Sequence, residues 1–504
     1  MLYWKQFIGG LVNAFTKLDK MPGDRLVFYP AFYVIGGFLF GASGGVQKIK
    51  EEDTMEKTAD FTEGRILSRL LRFALPVLAA LFLQAMYGAV DLMVVGQFGA
   101  PTDVSAVSTG SQIMQTVTSL ITGLAMGITI LVGQKIGEKR PEQAGDVIGS
   151  GICLFGVLAA VLTVLMILGA GFLAGLMHAP EEAFSQTVDY IRICSAGAVF
   201  IIAYNVLGSI FRGIGDSRMP LFTVAAACVF NIGGDLLLVA GFHMGAAGAA
   251  LATVAAQAAS VLLSLAVIRK RQLPFTLGKR NLQLEGRLVG KILALGTPIA
   301  LQDLLVSISF LVILAIVNSM GVIASAGVGV AEKLCAFIML VASAYMQSMS
   351  AFVAQNMGAG KPERAKRALL YGIGTSLMAG VVLFYFSFFH GDVMAGIFAR
   401  DPQVVAAAAD YLKAYAIDCI LTSFLFCFVG YFNGCGKTFF VMVQGIVGAF
   451  CVRIPVSWFM SRMAGVTLFK IGLATPCSSA VQILLCAVYF IWLSGRSRKH
   501  RASA

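Results

Sequence analysis

Twelve apolar runs, each long enough to cross a lipid bilayer, follow one another along most of this chain. They cover about 73–98, 104–133, 147–173, 188–211, 219–241, 247–268, 292–318, 323–354, 369–390, 404–430, 439–460 and 470–493. About 20 helical residues span the hydrocarbon layer. Barrel strands are about half that length and alternate in polarity, whereas these runs are apolar all round. Lipid cannot hydrogen-bond a peptide group, and a helix satisfies its own backbone. Charged residues make up only 13% of the chain, against about 25% in soluble domains, too few for a water-facing surface. The expected fold is an all-α integral membrane protein with twelve core helices.

The net charge of +12 could suggest nucleic acid, but its placement does not. Basic residues gather in alternate loops: Lys135, Lys139 and Arg140; Arg212 and Arg218; seven within 269–291; Lys361, Arg364, Lys366 and Arg367; and Arg496, Arg498, Lys499 and Arg501. The loop 177–186 between them has none. The positive-inside bias puts both ends of the core in the cytoplasm, in a multi-pass protein of the plasma membrane. No nucleic-acid partner is expected. The ten cysteines fall mostly within the runs without a C-x-x-C pair and read as small packing residues. His178, His243, His390 and His500 are scattered and make no metal pattern. No cofactor is expected.

Residues 1–54 differ from the rest. The run 26–46 could just span a bilayer, and a polar stretch separates it from the core. We read 1–54 as a non-core extension, with Met55 a natural start; the alternative is a thirteenth helix.

The chain repeats itself at a spacing near 221. GQKIGEKRPEQA (133–144) answers AQNMGAGKPERA (354–365), DYIRI (189–193) answers DYLKA (410–414), and FRGIGDS (211–217) answers FNGCGKT (432–438). Order is kept throughout. Six helices per half return the chain to its starting side, so the halves share one orientation. The expected architecture is a six-helix lobe over 55–268, a basic cytoplasmic linker over 269–291, a second lobe over 292–494, and a basic tail over 495–504. Two such lobes suggest a cleft opening to either side.

VAQNMGAGKPERAKRA (353–368), FRGIGDSRMP (211–220), NIGGD (231–235) and RIPVSWFMS (453–461) resemble the MATE family, the multidrug and toxic compound extrusion transporters of the MOP superfamily. The resemblance runs from about Phe61 to Ser494. It implies two pseudo-symmetric six-helix lobes in a V around a central cleft. It also implies export of organic cations or drugs, driven by H⁺ or Na⁺ moving inward.

Charges inside a span are costly and usually functional. Asp91 lies fifteen residues past Pro76 with no basic residue within ten positions. The bland reading is an acid near the interface, but more than a turn of apolar helix follows it. The resemblance makes it the central coupling carboxylate. Asn231 and Asp235 are four apart and share a helix face, with Gly233 and Gly234 between them open to a neighbouring helix. The resemblance adds Tyr190, Asn205 and Thr253 to a cation-coupling site. Carboxylate, amide and hydroxyl oxygens suit a small hard cation, and two acids in a dry pocket suit a shared proton. In the second half, Val452 and Val456 stand at the repeat spacing from Asn231 and Asp235. Asp418 is a candidate substrate or ion contact there, or a partner for Lys413, and Asp303 reads as a helix-end or packing acid. Of the many methionines in the spans, for example Met86, Met93, Met114, Met126, Met339, Met346 and Met349, most should face lipid or pack in the core and some should line the cleft, where soft side chains tolerate varied shapes.

The expected function is a secondary antiporter of amphipathic, cationic organic compounds, working as a monomer among membrane lipids. A lipid-precursor flippase of the same superfamily is the alternative. It would need cationic residues in the cleft to hold pyrophosphate, and these spans hold few. An enzyme would need a zinc motif or paired Asp-rich sites, and neither occurs.

Overall fold

The computed structural model describes residues 60–270, 278, 280–463 and 465–502, with side chains to residue 495. The extension 1–54, with its run 26–46, lies outside the described residues. The described chain is helical, without strands. Eleven helices are long and apolar enough to span a membrane, and a bent pair makes a twelfth span. In order they are α1 (Ile66–Phe98), α2 (Pro101–Gly137), α3 (Pro141–Leu176), α4 (Glu181–Ala196 with Ala198–Ile214), α5 (Arg218–Gly241), α6 (Gly245–Lys270), α7 (Gly286–Asn318), α8 (Val322–Gly358), α9 (Pro362–Phe389), α10 (Pro402–Gly434), α11 (Thr438–Ser461) and α12 (Leu468–Gly495). α1–α6 form one lobe and α7–α12 the other.

The two pieces of α4 meet at 53°. The break falls at Gly197, where a Cβ would collide with Val254 of α6. α1 and α7 each carry an internal proline, Pro76 and Pro298, which removes one backbone hydrogen bond and leaves a compliant point. α5 and α11 each contain a π-turn, at Leu236–Gly241 and Val447–Arg453.

Apolar side chains on the outer faces, such as Leu168 and Phe172 of α3 and Met378 of α9, are exposed and suited to lipid. Inside, each lobe has its own apolar cluster away from the basic loops. One holds Val90, Val94, Met114 and Ile191; the other holds Ile313, Leu334 and Tyr415. Near the basic loops the lobes exchange material. Phe61, Leu70, Phe73 and Val77 pack among Phe352, Phe428 and Phe432 of the second lobe. Ile292 of α7 packs among Ile128, Val132 and Ile148 of the first.

A glycine seam joins the lobes on this side. Lipid gives helices little apolar reason to associate, so small residues that admit close backbone approach matter more. A Cβ on Gly123 would lie 2.7 Å from the Ala300 backbone, and one on Gly133 would lie 3.0 Å from the Ala354 side chain. The repeated loop motif closes the seam reciprocally. Gly137 abuts the Gln355 carbonyl, and Gly358, its counterpart in the repeat, abuts the Gln134 carbonyl. The motif thus ends two helices, as its Gly-Pro pattern predicts, and also locks them together. Gln355 donates from Nε2 to the Gly213 carbonyl at 3.0 Å. The basic residues of the second copy have a further task. Arg364 donates to the carbonyls of Phe61, Glu63 and Gly64, and Lys361 donates to that of Thr62, clamping the segment that leads into α1.

Candidate functional site

Above the seam lie two polar regions. The first is a pocket inside the first lobe. Asp91 of α1 is 6% exposed, and Asn231 and Asp235 of α5 are fully buried. The Asp91 and Asp235 carboxyl groups lie within hydrogen-bonding reach of each other. Neither can donate while both are ionised, and among the described residues both Asp235 oxygens and Asp91 Oδ1 have no hydrogen-bond donor. A carboxylate pair without a cation or shared proton is strongly disfavoured in such a place. Asn231 donates from Nδ2 to Thr253 Oγ1 at 3.4 Å, leaving its Oδ1 unpartnered. Gly234 brings α6 close, its side facing Ala252 at 3.0 Å, whereas Gly233 faces open space. Of the two glycines, only the second makes the expected close approach.

Tyr190 of α4 is buried against Gly110 of α2 and stands, with Tyr87 and Cys194, within electrostatic reach of Asp91. Tyr87 accepts a hydrogen bond from Gln257 Nε2 at 3.2 Å. Tyr87, Cys194 and Gln257 are absent from the sequence-derived set. Each lies one turn from a residue in it: Tyr87 from Asp91, Cys194 from Tyr190, Gln257 from Thr253. The four-residue spacing that paired Asn231 with Asp235 would have found all three.

Asn205 does not join this pocket. Tyr190 and Asn205 sit on opposite sides of the 53° bend in α4, which carries Asn205 into the second region. There its Oδ1 accepts from Thr122 Oγ1 at 3.1 Å and its Nδ2 donates to the Ile201 carbonyl.

That second region is a cleft of about 570 Å³ between the lobes, within the usual size range of small-molecule sites, about 300–1,000 Å³. The glycine seam closes it toward the basic loops. Of the seven methionines named from the sequence, Met126, Met339 and Met346 line it, together with Phe310 and Phe426. α1, α5 and α6 each serve both regions: Gln84, Thr223 and Ser264 face the cleft on the same helices that carry Asp91, Asp235 and Thr253.

Four charged residues line the cleft, Arg212, Asp303, Asp418 and Arg453. Asp418 is buried with Oδ1 unpartnered; its neighbours are Ser479 and Arg453 rather than Lys413. Arg453 is 5% exposed, donates to Ser309 Oγ at 3.0 Å, and lies 4.3 Å over the Phe310 ring. Two sequence readings change here. Asp303 is not a packing acid at a helix end, because α7 begins well before it and turns it into the cleft. Arg212 is not a loop residue, because α4 continues to Ile214. The cleft therefore holds more positive charge than the spans suggested.

The MatE family model matches residues 76–237 and again 298–459. The chain belongs to the MatE family. Members of MatE are transporters, not enzymes, and this one is a multi-pass membrane protein. It is similar to the "Probable multidrug resistance protein YoeA" of Bacillus subtilis, with 27% identity over 83% of this chain and 93% of that one. It is also similar to an FAD transporter of Shewanella oneidensis, with 27% identity over 69% and 77%. Among solved structures, the outward-facing conformation of a multidrug resistance MATE family transporter of the MOP superfamily matches with a TM-score of 0.81 at 20% identity. That match covers 88% of this chain and 98% of the other. The two MatE matches are offset by 222 residues at both ends, one more than the loop motifs. At that offset Arg453 answers Asn231 and Ser457 answers Asp235, whereas at the loop-motif spacing Val452 and Val456 do. At neither spacing does the second lobe repeat the acid of the first.

Proposed function

We propose that the protein is a secondary antiporter that exports amphipathic, cationic organic compounds in exchange for H⁺ or Na⁺. The observation that carries this reading is the facing pair Asp91 and Asp235, buried apart from the cleft on helices that also form its wall. An ion entering the pocket neutralises the pair and draws α1 toward α5. Pro76 lies between that pocket and the seam, so α1 bends there, and Gln84 shifts in the cleft wall. Leaving the pocket, the ion restores the repulsion and the original wall. Neutralisation by either ion does the same work, since the oxygens of Asp91, Asn231, Asp235 and Thr253 suit H⁺ or Na⁺. The membrane potential adds about 2.3 kcal/mol per charge per 100 mV.

Basic loops in the cytoplasm make the seam the inner gate, so the cleft faces outward. The multidrug name of the Bacillus relative supports drug-like cargo, and the methionine-lined walls suit varied shapes. Asp303 supplies the preference for positive charge. A lipid-precursor flippase is the second reading, favoured by the two cleft arginines. Against it, Arg453 is already engaged by Ser309, Phe310 and the nearby Asp418, and two acids share the cleft. A diphosphate would meet one available guanidinium and two carboxylates.

The test is transport of cationic dyes by the purified protein in liposomes under a pH gradient alone or a Na⁺ gradient alone. One gradient drives uphill dye movement in the wild type, and Asp91→Asn abolishes it. Uphill transport surviving in that variant removes Asp91 from the coupling role.

A further inference from the structure

The four cleft charges are not equally occupied. Arg453 and Asp418 lie on neighbouring helices of the second lobe and act on each other electrostatically. The Arg453 guanidinium is also held by Ser309 and the Phe310 ring. The other two charges stand apart. Arg212, on α4 of the first lobe, donates to Ser209 Oγ at 2.9 Å and has a buried Nε without a partner among the described residues. Among the described residues no carboxylate lies within ion-pair distance of it. Asp303, on α7 of the second lobe, is exposed to the cleft, and among the described residues no Lys or Arg forms an ion pair with it. The cleft thus offers one uncommitted positive group on one lobe and one uncommitted negative group on the other.

Arg212 also has a definite depth. Gly213, the next residue, is pressed against Thr129 and Val132 and accepts from Gln355. Arg212 therefore stands at the closed end of the cleft, just above the seam. A cation reaching that depth is repelled, whereas an anionic group is met by a planar fork of donors suited to carboxylate or phosphate. The lower dielectric of the lined cleft strengthens both effects.

We infer that the cleft selects zwitterionic amphipaths, with Arg212 at its floor holding an anionic group of the substrate while Asp303 receives the cationic one. This rests on the export reading above and narrows its cargo. A carboxylate or a phosphate monoester satisfies the same fork. Because each end of the molecule binds a different lobe, a substrate seated this way also bridges the two halves that must move.

The experiment uses the full-length protein in liposomes and two forms of one cationic xanthene dye: the dimethyl carboxamide, which has no N–H to close a spiro ring and stays a plain cation, and the free carboxylate, a zwitterion. A phosphate-monoester form of the same dye distinguishes carboxylate from phosphate preference. In the wild type the carboxylate or phosphate form half-saturates transport at about tenfold lower concentration than the carboxamide. Arg212→Gln brings the half-saturating concentrations of the forms together, and Arg212→Lys keeps part of the difference. The inference is overturned if the wild type handles the anion-bearing forms no better than the carboxamide, a comparison that needs no variant. It is equally overturned if Arg212→Gln slows all forms in proportion or alters none. If no form is moved under either ion gradient, the export reading fails as well. Movement of the carboxamide alone sinks only the zwitterion inference.

Discussion

The carboxyl groups of Asp91 and Asp235 meet across the space between α1 and α5 although 144 residues separate them in the chain. Two acids at hydrogen-bonding range behave as one site, because neither can hold full charge without a cation or proton between them. Asp91→Asn and Asp235→Asn should each lower gradient-driven transport by more than tenfold. The double variant should be little worse than either, since contacting residues are not additive. Initial rates in liposomes with a fixed gradient measure this. Multiplying defects would mean two independent sites.

Asp303 faces the cleft without an ion-pair partner among the described residues. Asp303→Asn should weaken the apparent affinity for a permanently charged cation by about tenfold, roughly one charge-assisted contact, and leave an uncharged analogue unaffected. Competition between the two analogues reads the ratio directly.

Gly358 has no room for a side chain, because a Cβ there would meet the Gln134 carbonyl. Gly358→Val should cost about 1–3 kcal/mol in the seam-closed state. Thermal unfolding in detergent should fall by a few degrees, and an engineered cysteine pair across the seam should cross-link more slowly. Gly360 nearby has open space around its Cβ position but a φ of +67°. Its replacement by Ala should strain the backbone without hindering the seam.

Asp60 precedes the membrane helices. Burial alone would raise its titration point, but hydrogen bonds from Thr62 and the charges of Lys361 and Lys139 outweigh it and hold the carboxyl below its ordinary 3.8. A depressed carboxylate stabilises the fold above its unfolded value and loses that contribution as pH falls through the folded one. Amide exchange at residues 61–65 should therefore accelerate as pH drops below 3.8, after correction for intrinsic rates. Arg364→Ala should accelerate it at neutral pH, because three carbonyls lose their donor.

The helical membrane fold, the two lobes and the acid pocket were legible in the sequence because each rests on a local signal. Apolar run length gave the spans, the repeat gave the lobes, and isolation in an apolar run marked Asp91. What the sequence hid was geometry that only assembly creates. The resemblance groups Asn205 with the acids, and nothing in the residues around Gly197 announces the bend that parts them. Arg212 reads as a loop cation because its helix runs three residues further than the apolar run ending at 211. Arg453 stands out only in the fold, where α11 buries it against Ser309 and Phe310 on the cleft wall. Asp303 reads as a helix-end or packing acid in the sequence, yet α7 runs unbroken from Gly286 through Pro298 to Asn318.

The exchange of the first helices has a consequence for how the molecule can be taken apart. Neither half, cut free at 269–291, could cover its own inner end: one would leave Phe61, Leu70 and Phe73 without a socket, and the other Ile292. Two fragments made together should find each other and rebuild the fold, whereas either alone should be degraded.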